Sequence, residues 1–357
     1  MPAHQPDFSQ LLTILRRGVP DRLPFYEHLA DAQVVEAVTG RPVTRMDGST
    51  PEVREARLEA QIDFYLQLGF DCFPFEMGPK FPRDNILATT DTAPQSRRDR
   101  GWVDEHGGPI QTMDDLEAYP WPEPDAATDY EVFEIAKRLL PEGMLVVGGC
   151  AGGVFEHASW LMGIEKLSLA IYDDPPLVAA LLDRVTDTIC AIDQRALQIG
   201  IIGALRMGDD LGFKTGPFLS PACLREFIFP RQKRVADLAH EAGLPFVLHS
   251  CGNAEQIMDD LIDFVGVDAK HSFEDVIMPM AEVKRRWGER VALLGGADVD
   301  YLARHSEDEV RAYTRRLIED CAPGGGWALG TGNSVANYIP VANYLAMLDE
   351  GRRFRRS

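Results

Sequence analysis

The segment His249-Ser250-Cys251-Gly252-Asn253 sets an imidazole and a thiol two residues apart. Along an extended backbone residues i and i+2 point to the same side, so both groups reach one point. Imidazole nitrogen and thiolate sulfur are good Zn²⁺ ligands, and a catalytic zinc takes three protein ligands plus one open position. His271, twenty residues past Cys251, is the candidate third ligand. The competing reading is a buried thiol beside an imidazole bonded to a carboxylate. A second element is Asp209-Asp210, preceded by Gly208 and followed by Leu211-Gly212. Like charges so close raise one pKa, which suits a general acid; a loop cap bonded to backbone amides is the alternative. Glu27 joins this pair as a catalytic candidate, and Glu76, Asn253 and Asn333 are candidates for substrate binding.

These residues share a place in a repeating pattern of short apolar run, polar or Gly-rich turn, and helical stretch. Eight runs read as strands: Leu23–Tyr26, Asp71–Phe75, Met144–Val147, Ala204–Met207, Pro245–Leu248, Val265–Lys270, Val291–Leu294 and Trp327–Leu329. Their continuous apolar character suits parallel strands covered on both faces. Helix signals separate them. Asp7 caps a first helix stopped by Gly18, and Ser220-Pro221 opens a stretch to Ala242. Asn253 caps one to Phe264, Ser306 and Glu309 form a capping box, and Pro340–Gly351 closes the chain.

Eight such units predict a (β/α)₈ TIM barrel of α/β class, formed by residues 1–357 as one domain with a short N-terminal helix. An open doubly wound sheet is the alternative, weakened because no glycine-rich dinucleotide fingerprint follows the first strand. Residues 79–141, rich in Pro, Asp and Gly, break the pattern and predict an excursion after the second strand. It carries a hairpin around Glu105-His106-Gly107-Gly108, flanked by Trp102 and Ile110. In such a barrel the strand C-termini carry the chemistry. Glu27, Glu76, Asp209-Asp210, His249–Asn253, His271, Asp298 and Asn333 all fall there. Cys321 precedes the eighth strand, at the opposite end, and is excluded as a ligand.

Composition bounds the function. Of 357 residues, 45% are hydrophobic and 26% charged, which suits a globular chain. Asp and Glu number 56 against 36 Lys and Arg, a formal charge of −20, which argues against nucleic acid or anionic membrane as the main partner. No window approaches a membrane span, and the start MPAHQPDFSQ lacks a basic-then-apolar leader pattern. Six cysteines are too sparse for a disulfide scaffold. A cytoplasmic enzyme is expected.

Several stretches resemble the uroporphyrinogen decarboxylase-like superfamily: Pro20-Asp21-Arg22-Leu23-Pro24, the G-D-D-L-G turn, Leu219-Ser220-Pro221 leading to Phe229-Pro230, H-S-C-G-N, G-G-A-D at Gly295–Asp298, and G-T-G-N-S-V-A-N-Y-I-P. The resemblance spans nearly the whole chain and implies a TIM barrel. True uroporphyrinogen decarboxylases carry an R-Q-A-G-R-Y element after the first strand that holds substrate carboxylates. Here that place reads Tyr26-Glu27-His28-Leu29-Ala30-Asp31, without arginine. The resemblance therefore implies the branch of cobalamin-linked methyltransferases, which hold zinc through His-x-Cys and a later cysteine. His249 and Cys251 match that motif; the branch's later cysteine falls near Asn333, where this sequence has no cysteine. Membership of that branch implies a demethylating methyltransferase taking a methyl group from a small methylated donor, such as a methoxylated aromatic. Its acceptor is a corrinoid, carried by a corrinoid protein, or tetrahydrofolate. A cofactor-free decarboxylase or lyase acting on a small carboxylic acid is the alternative. A non-catalytic corrinoid- or ligand-binding barrel is the third reading.

Overall fold

A computed structural model describes residues 4–44, 50–83, 86–90, 99–103 and 106–354. Seven parallel strands form one sheet in chain order: β1 (Cys72–Met77), β2 (Leu145–Cys150), β3 (Ile202–Gly208), β4 (Phe246–His249), β5 (Ala269–His271), β6 (Ala292–Leu294) and β7 (Trp327–Ala328). The expected strand at Leu23–Tyr26 contracts to one parallel bridge, Phe25 with Leu329. Tyr26 N donates to Leu329 O at 2.9 Å and Leu329 N to Pro24 O at 3.0 Å. Pro24 has no amide hydrogen to extend that ladder, which is why the first segment pairs so briefly. The first chain segment thus lies beside the last strand, the circular order of the (β/α)₈ barrel expected from the sequence.

Inside the ring Tyr26, Cys72, Val147, Ala204, Val247, Ala269, Ala292, Leu294 and Ala328 form a narrow apolar core of mostly small side chains. The helix Phe8–Leu15, capped by Asp7 through Ser9 N at 3.0 Å, adds Phe8, Leu11, Ile14 and Leu15 to that core. A much larger apolar layer lies between strands and outer helices. Among the described residues no helix is long and apolar enough to cross a membrane.

Several boundaries differ from the sequence reading. The stretch after Ser220 is two α-helical pieces, Pro221–Cys223 and Phe229–Glu241, joined by a π turn at Leu224–Ile228. Pro230 supplies no amide hydrogen, and the wider turn absorbs the missing bond. The expected helix from Asn253 to Phe264 is a 3₁₀ turn at Glu255–Ile257, one α turn at Met258–Asp260 and a π turn at Leu261–Val265. The Ser306/Glu309 capping box forms as expected, opening Glu307–Cys321.

Within residues 79–141 the structure corrects the hairpin: Trp102 pairs with Leu87 in an antiparallel ladder of Ile86–Thr90 with Asp99–Val103, so the hairpin lies upstream of 105–108. Glu105 itself lies outside the described residues. The excursion also ends sooner, because Tyr130–Leu139 is the regular helix that precedes β2.

Candidate active site

Strand alternation builds a polar layer on top of the small apolar core. Ala204, Val247 and Ala269 face inward, so two residues on, Arg206, His249 and His271 do too. Register then sets the height, since His249 lies opposite His271 and Gly208 opposite His249. The result is close contact: His249 Nδ1 and His271 Nδ1 are 2.7 Å apart. His271 Nε2 lies 3.1 Å from the carbonyl of Thr331. On the other edge of the same imidazole, His249 Nε2 is 3.5 Å from Cys251 Sγ and 3.8 Å from Asp210 Oδ1. The backbone closes the group, with Cys251 N donating to Asp210 Oδ1 at 2.7 Å. Asn333 Nδ2 donates to Cys251 Sγ at 3.3 Å, and Ser272 Oγ lies 3.7 Å from it.

His249 therefore meets Cys251 and His271 through opposite ring nitrogens. Among the described residues, two groups of side chains come within reach of one ion, and His249 belongs to both: Asp210, His249 and Cys251, and His28, His249 and His271. The second fits a metal poorly. His28 stacks face to face on His249, ring centres 3.8 Å apart and planes within 10°, so their in-plane lone pairs do not converge. The first offers an imidazole, a thiol and a carboxylate, three different donors suited to Zn²⁺. Metal ligation needs neutral imidazole. Burial holds His249 and His28 well below the usual imidazole range and takes His271 down to about 3. Burial, with Asp210 adding to it, pushes the Cys251 thiol up to about 12, so without an ion it is a thiol.

The remaining expected residues divide between cavity and scaffold. Asp209 is wholly buried and its oxygens accept from Phe155 N at 3.1 Å, Glu156 N at 2.9 Å and Gln232 Nε2 at 2.8 Å. It thereby fixes the start of the helix Val154–Met162 to the barrel rim. Gly153 permits this approach, because a Cβ there would meet the Asp209 carboxyl at 2.2 Å. Burial raises Asp209 to about 6 against the pull of those donors. Glu27 points outward from the ring, wholly buried, and takes the amide and hydroxyl of Thr331. Burial raises it to about 8, so at neutral pH it is mostly a protonated acid. Asn253 accepts from Glu255 N at 3.0 Å, capping the turn that comes next. Glu76 pairs with Arg206 at 2.5 Å.

Beside the Asp210–His249 edge lies a cavity of about 320 Å³. Its walls include His28, Glu76, Arg83, Glu156, Trp160 and Asp210, with Pro79 and Arg83 coming from the excursion. Arg83 lies over the Trp160 ring at 4.9 Å. Glu156 is held well above the carboxylate range by burial and by Asp209 and Asp210 beside it.

Three of these residues, His28, Arg206 and Glu156, are not among the candidates that residue type and spacing single out. His28 was two residues from inward-facing Tyr26, the same alternation that linked His249 to Cys251. Arg206 sat unremarked within an apolar strand. Glu156 lies just past the C-terminal end of β2, a strand end the sequence reading left without candidates.

A profile of the family described as Uroporphyrinogen decarboxylase (URO-D) matches residues 105–354. The chain belongs to this family. Among its relatives, the uroporphyrinogen decarboxylase of Thioalkalivibrio sulfidiphilus is 26% identical over 254 residues, which cover 68% of this chain and 69% of that protein. The methylated-thiol–coenzyme M methyltransferase of Methanosarcina mazei is 27% identical over 214 residues, 60% of this chain and 54% of that one. The solved structure of a methyltransferase from Methanosarcina mazei superimposes with a TM-score of 0.71 at 18% identity, covering 97% and 98% of the two chains. That likeness shows the shared fold. The relatives of this chain thus carry the names of two different reactions, and the residues of the site must decide between them.

Proposed function

We propose that this member of the uroporphyrinogen decarboxylase family transfers a methyl group from a small methylated donor to a corrinoid, carried by a corrinoid protein, or to tetrahydrofolate. The observation that carries this reading is the Asp210–His249–Cys251 group at the edge of the cavity, with Asn333 donating to the sulfur. Those three side chains are the ligand set for a zinc ion. Bound there, zinc supplies Lewis-acid polarisation of a leaving heteroatom.

The chain's own residues do the rest. His28, Arg83 and Trp160 wall the space for the donor, and the excursion closes one side of it. Glu156, whose carboxyl is held well above the usual carboxylate range by burial and by its acidic neighbours, is a candidate proton source facing the cavity. Asp209 keeps that helix start in place. The lining favours a neutral donor, since Arg83 stands against Asp210, Glu76 is paired with Arg206, and burial shifts Glu156 toward its neutral form. A polyanionic porphyrinogen would leave several carboxylates unpaired there, which costs more than binding returns.

The second reading, a decarboxylase or lyase of a small acid, draws on Arg83, which suits one carboxylate. The deciding experiment combines metal analysis with methyl transfer to cob(I)alamin and to tetrahydrofolate, using methoxylated aromatics, methylamines and methyl thioethers. Stoichiometric zinc with methylcobalamin or methyltetrahydrofolate from at least one donor is expected. Metal-free protein that methylates neither acceptor, yet releases CO₂ from a small acid, would replace the first reading by the second.

A further inference from the structure

The hydrogen-bond chain behind the proposed ligand group has one consistent arrangement of protons. The Thr331 carbonyl is an acceptor only, so His271 Nε2, 3.1 Å away, must carry a hydrogen. A neutral His271 then has a bare Nδ1. His249 Nδ1 lies 2.7 Å from that bare nitrogen and must donate to it. That leaves the Nε2 of a neutral His249 without a hydrogen, on the edge facing Cys251 and Asp210. The competing arrangement makes His271 a cation donating both ways. Its surroundings oppose this: the ring is wholly buried, its nitrogens meet only an imidazole and a carbonyl, and among the described residues no carboxylate pairs with it to compensate a charge. Tyr26 stands edge-on to it at 5.5 Å, and the imidazoles of His249 and His28 complete its neighbours.

We propose that His271 is a positioning residue that fixes the tautomer and tilt of His249, so that the Nε2 lone pair of His249 is presented to the Cys251–Asp210 edge. His271 then acts from behind the ligand group instead of within it, and Thr331, through its carbonyl, sets the direction of the relay. The stack of His28 on His249 holds the ring plane while the Nδ1 bond sets its rotation. Metal-binding imidazoles commonly depend on such an outer partner, whose loss costs about 10–100-fold in metal affinity. The relay itself needs no ion; only the Zn²⁺ affinity measurement rests on the ligand set proposed above.

The test uses the full chain, metal-free, with ¹⁵N-labelled histidine. Long-range ¹H–¹⁵N correlation should show His249 as the Nδ1–H tautomer and His271 as Nε2–H. Zn²⁺ affinity is measured by competition with a chelating dye. His271→Ala should release His249 to a mixture of tautomers and weaken Zn²⁺ binding about 10–100-fold. His271→Gln should restore both, because one amide oxygen can accept from His249 while its NH₂ donates to Thr331. An Nε2–H tautomer of His249 in the unmutated protein overturns the proposal. So does a His271→Gln variant, folded by circular dichroism, that behaves like His271→Ala. If the unmutated protein binds no Zn²⁺, the ligand set fails, and the tautomer spectra alone still decide the relay.

Discussion

Glu76→Gln tests whether the polar layer is held by charge. Arg206 has no exposed side-chain surface, Glu76 keeps 15%, and the two meet at 2.5 Å. The other end of the guanidinium donates to the carbonyl of His28 at 2.9 Å, tying the pair to the ring that stacks on His249. At a charge separation of about 4 Å and an effective dielectric of about 20, such a pair attracts by roughly 4 kcal/mol. Removing one partner leaves the other charge buried and uncompensated, which costs about 3–5 kcal/mol. Because Glu76 retains contact with the cavity, the lower end, about 3 kcal/mol, is expected. Urea denaturation at pH 7 measures it. The double variant Glu76→Gln/Arg206→Met removes the bare charge and leaves the His28 carbonyl unpaired, worth about 1–3 kcal/mol. It should be no less stable than the single variant. A Glu76→Gln protein within ~1 kcal/mol of the original would refute the reasoning, as that is what a solvent-screened pair contributes.

Cys251→Ser should abolish most Zn²⁺ occupancy, since serine is a poor zinc ligand; plasma emission analysis of purified protein checks this, and full occupancy would remove Cys251 from the ligand set. Asp193 is wholly buried, accepts from Cys150 N at 2.7 Å, and is raised by burial to about 8. The folded chain therefore keeps a proton that the unfolded chain loses near pH 4, so stability falls as pH rises between those values, by up to about 1.4 kcal/mol per unit. Asp193→Asn should flatten denaturation midpoints across pH 5–8, and an unchanged slope would contradict it. Uroporphyrinogen should not be decarboxylated at enzymic rates of about 1–10³ per second; chromatographic detection of coproporphyrinogen at such rates would show that the cavity pairs more carboxylates than its lining suggests.

How much of the fold and site was legible in the sequence depends on the kind of interaction involved. Local rules worked where the partner was close along the chain: the Asp7 cap, the Ser306/Glu309 box and the His249/Cys251 pair are two- or three-residue relations. The barrel emerged because continuous apolar runs alternating with helices leave few architectures. What stayed hidden depended on strand parity and on distant packing. Glu27 looked like the strand-end acid, yet Tyr26 faces inward, so His28 reaches the site and Glu27 turns toward Thr331. Arg206 lies within an apolar run that hides its charge, although an arginine in a strand buried on both faces needs a partner and so marks a polar layer. The roles of Asp209 and Asp210 diverged because one carboxylate meets the helix start at Val154–Met162 and the other meets Cys251 N. Nothing in their shared turn separates them. The walls supplied by residues 79–141 belong to tertiary packing from the outset.

The charges around His249 are arranged unequally, and that asymmetry links the site to its substrate. On the His271 side stand neutral rings and the buried cation Arg206, whose partner Glu76 faces the cavity. On the cavity side stand Asp209, Asp210 and Glu156, close enough that burial and the two aspartates hold the Glu156 carboxyl well above the usual carboxylate range. A set of acids crowded this way gains from any cation placed among them, and the thiol of Cys251, pushed up to about 12, gains the most, because ionising it otherwise adds another negative charge beside Asp210. The same field that invites a cation at the Asp210–Cys251 edge repels a polycarboxylate from the cavity. Replacing Asp210 with Asn should therefore weaken Zn²⁺ binding and, with Arg83 retained, make the cavity more tolerant of anionic ligands. A variant that lost zinc without gaining affinity for small carboxylates would separate those two effects and confine the role of Asp210 to ligation.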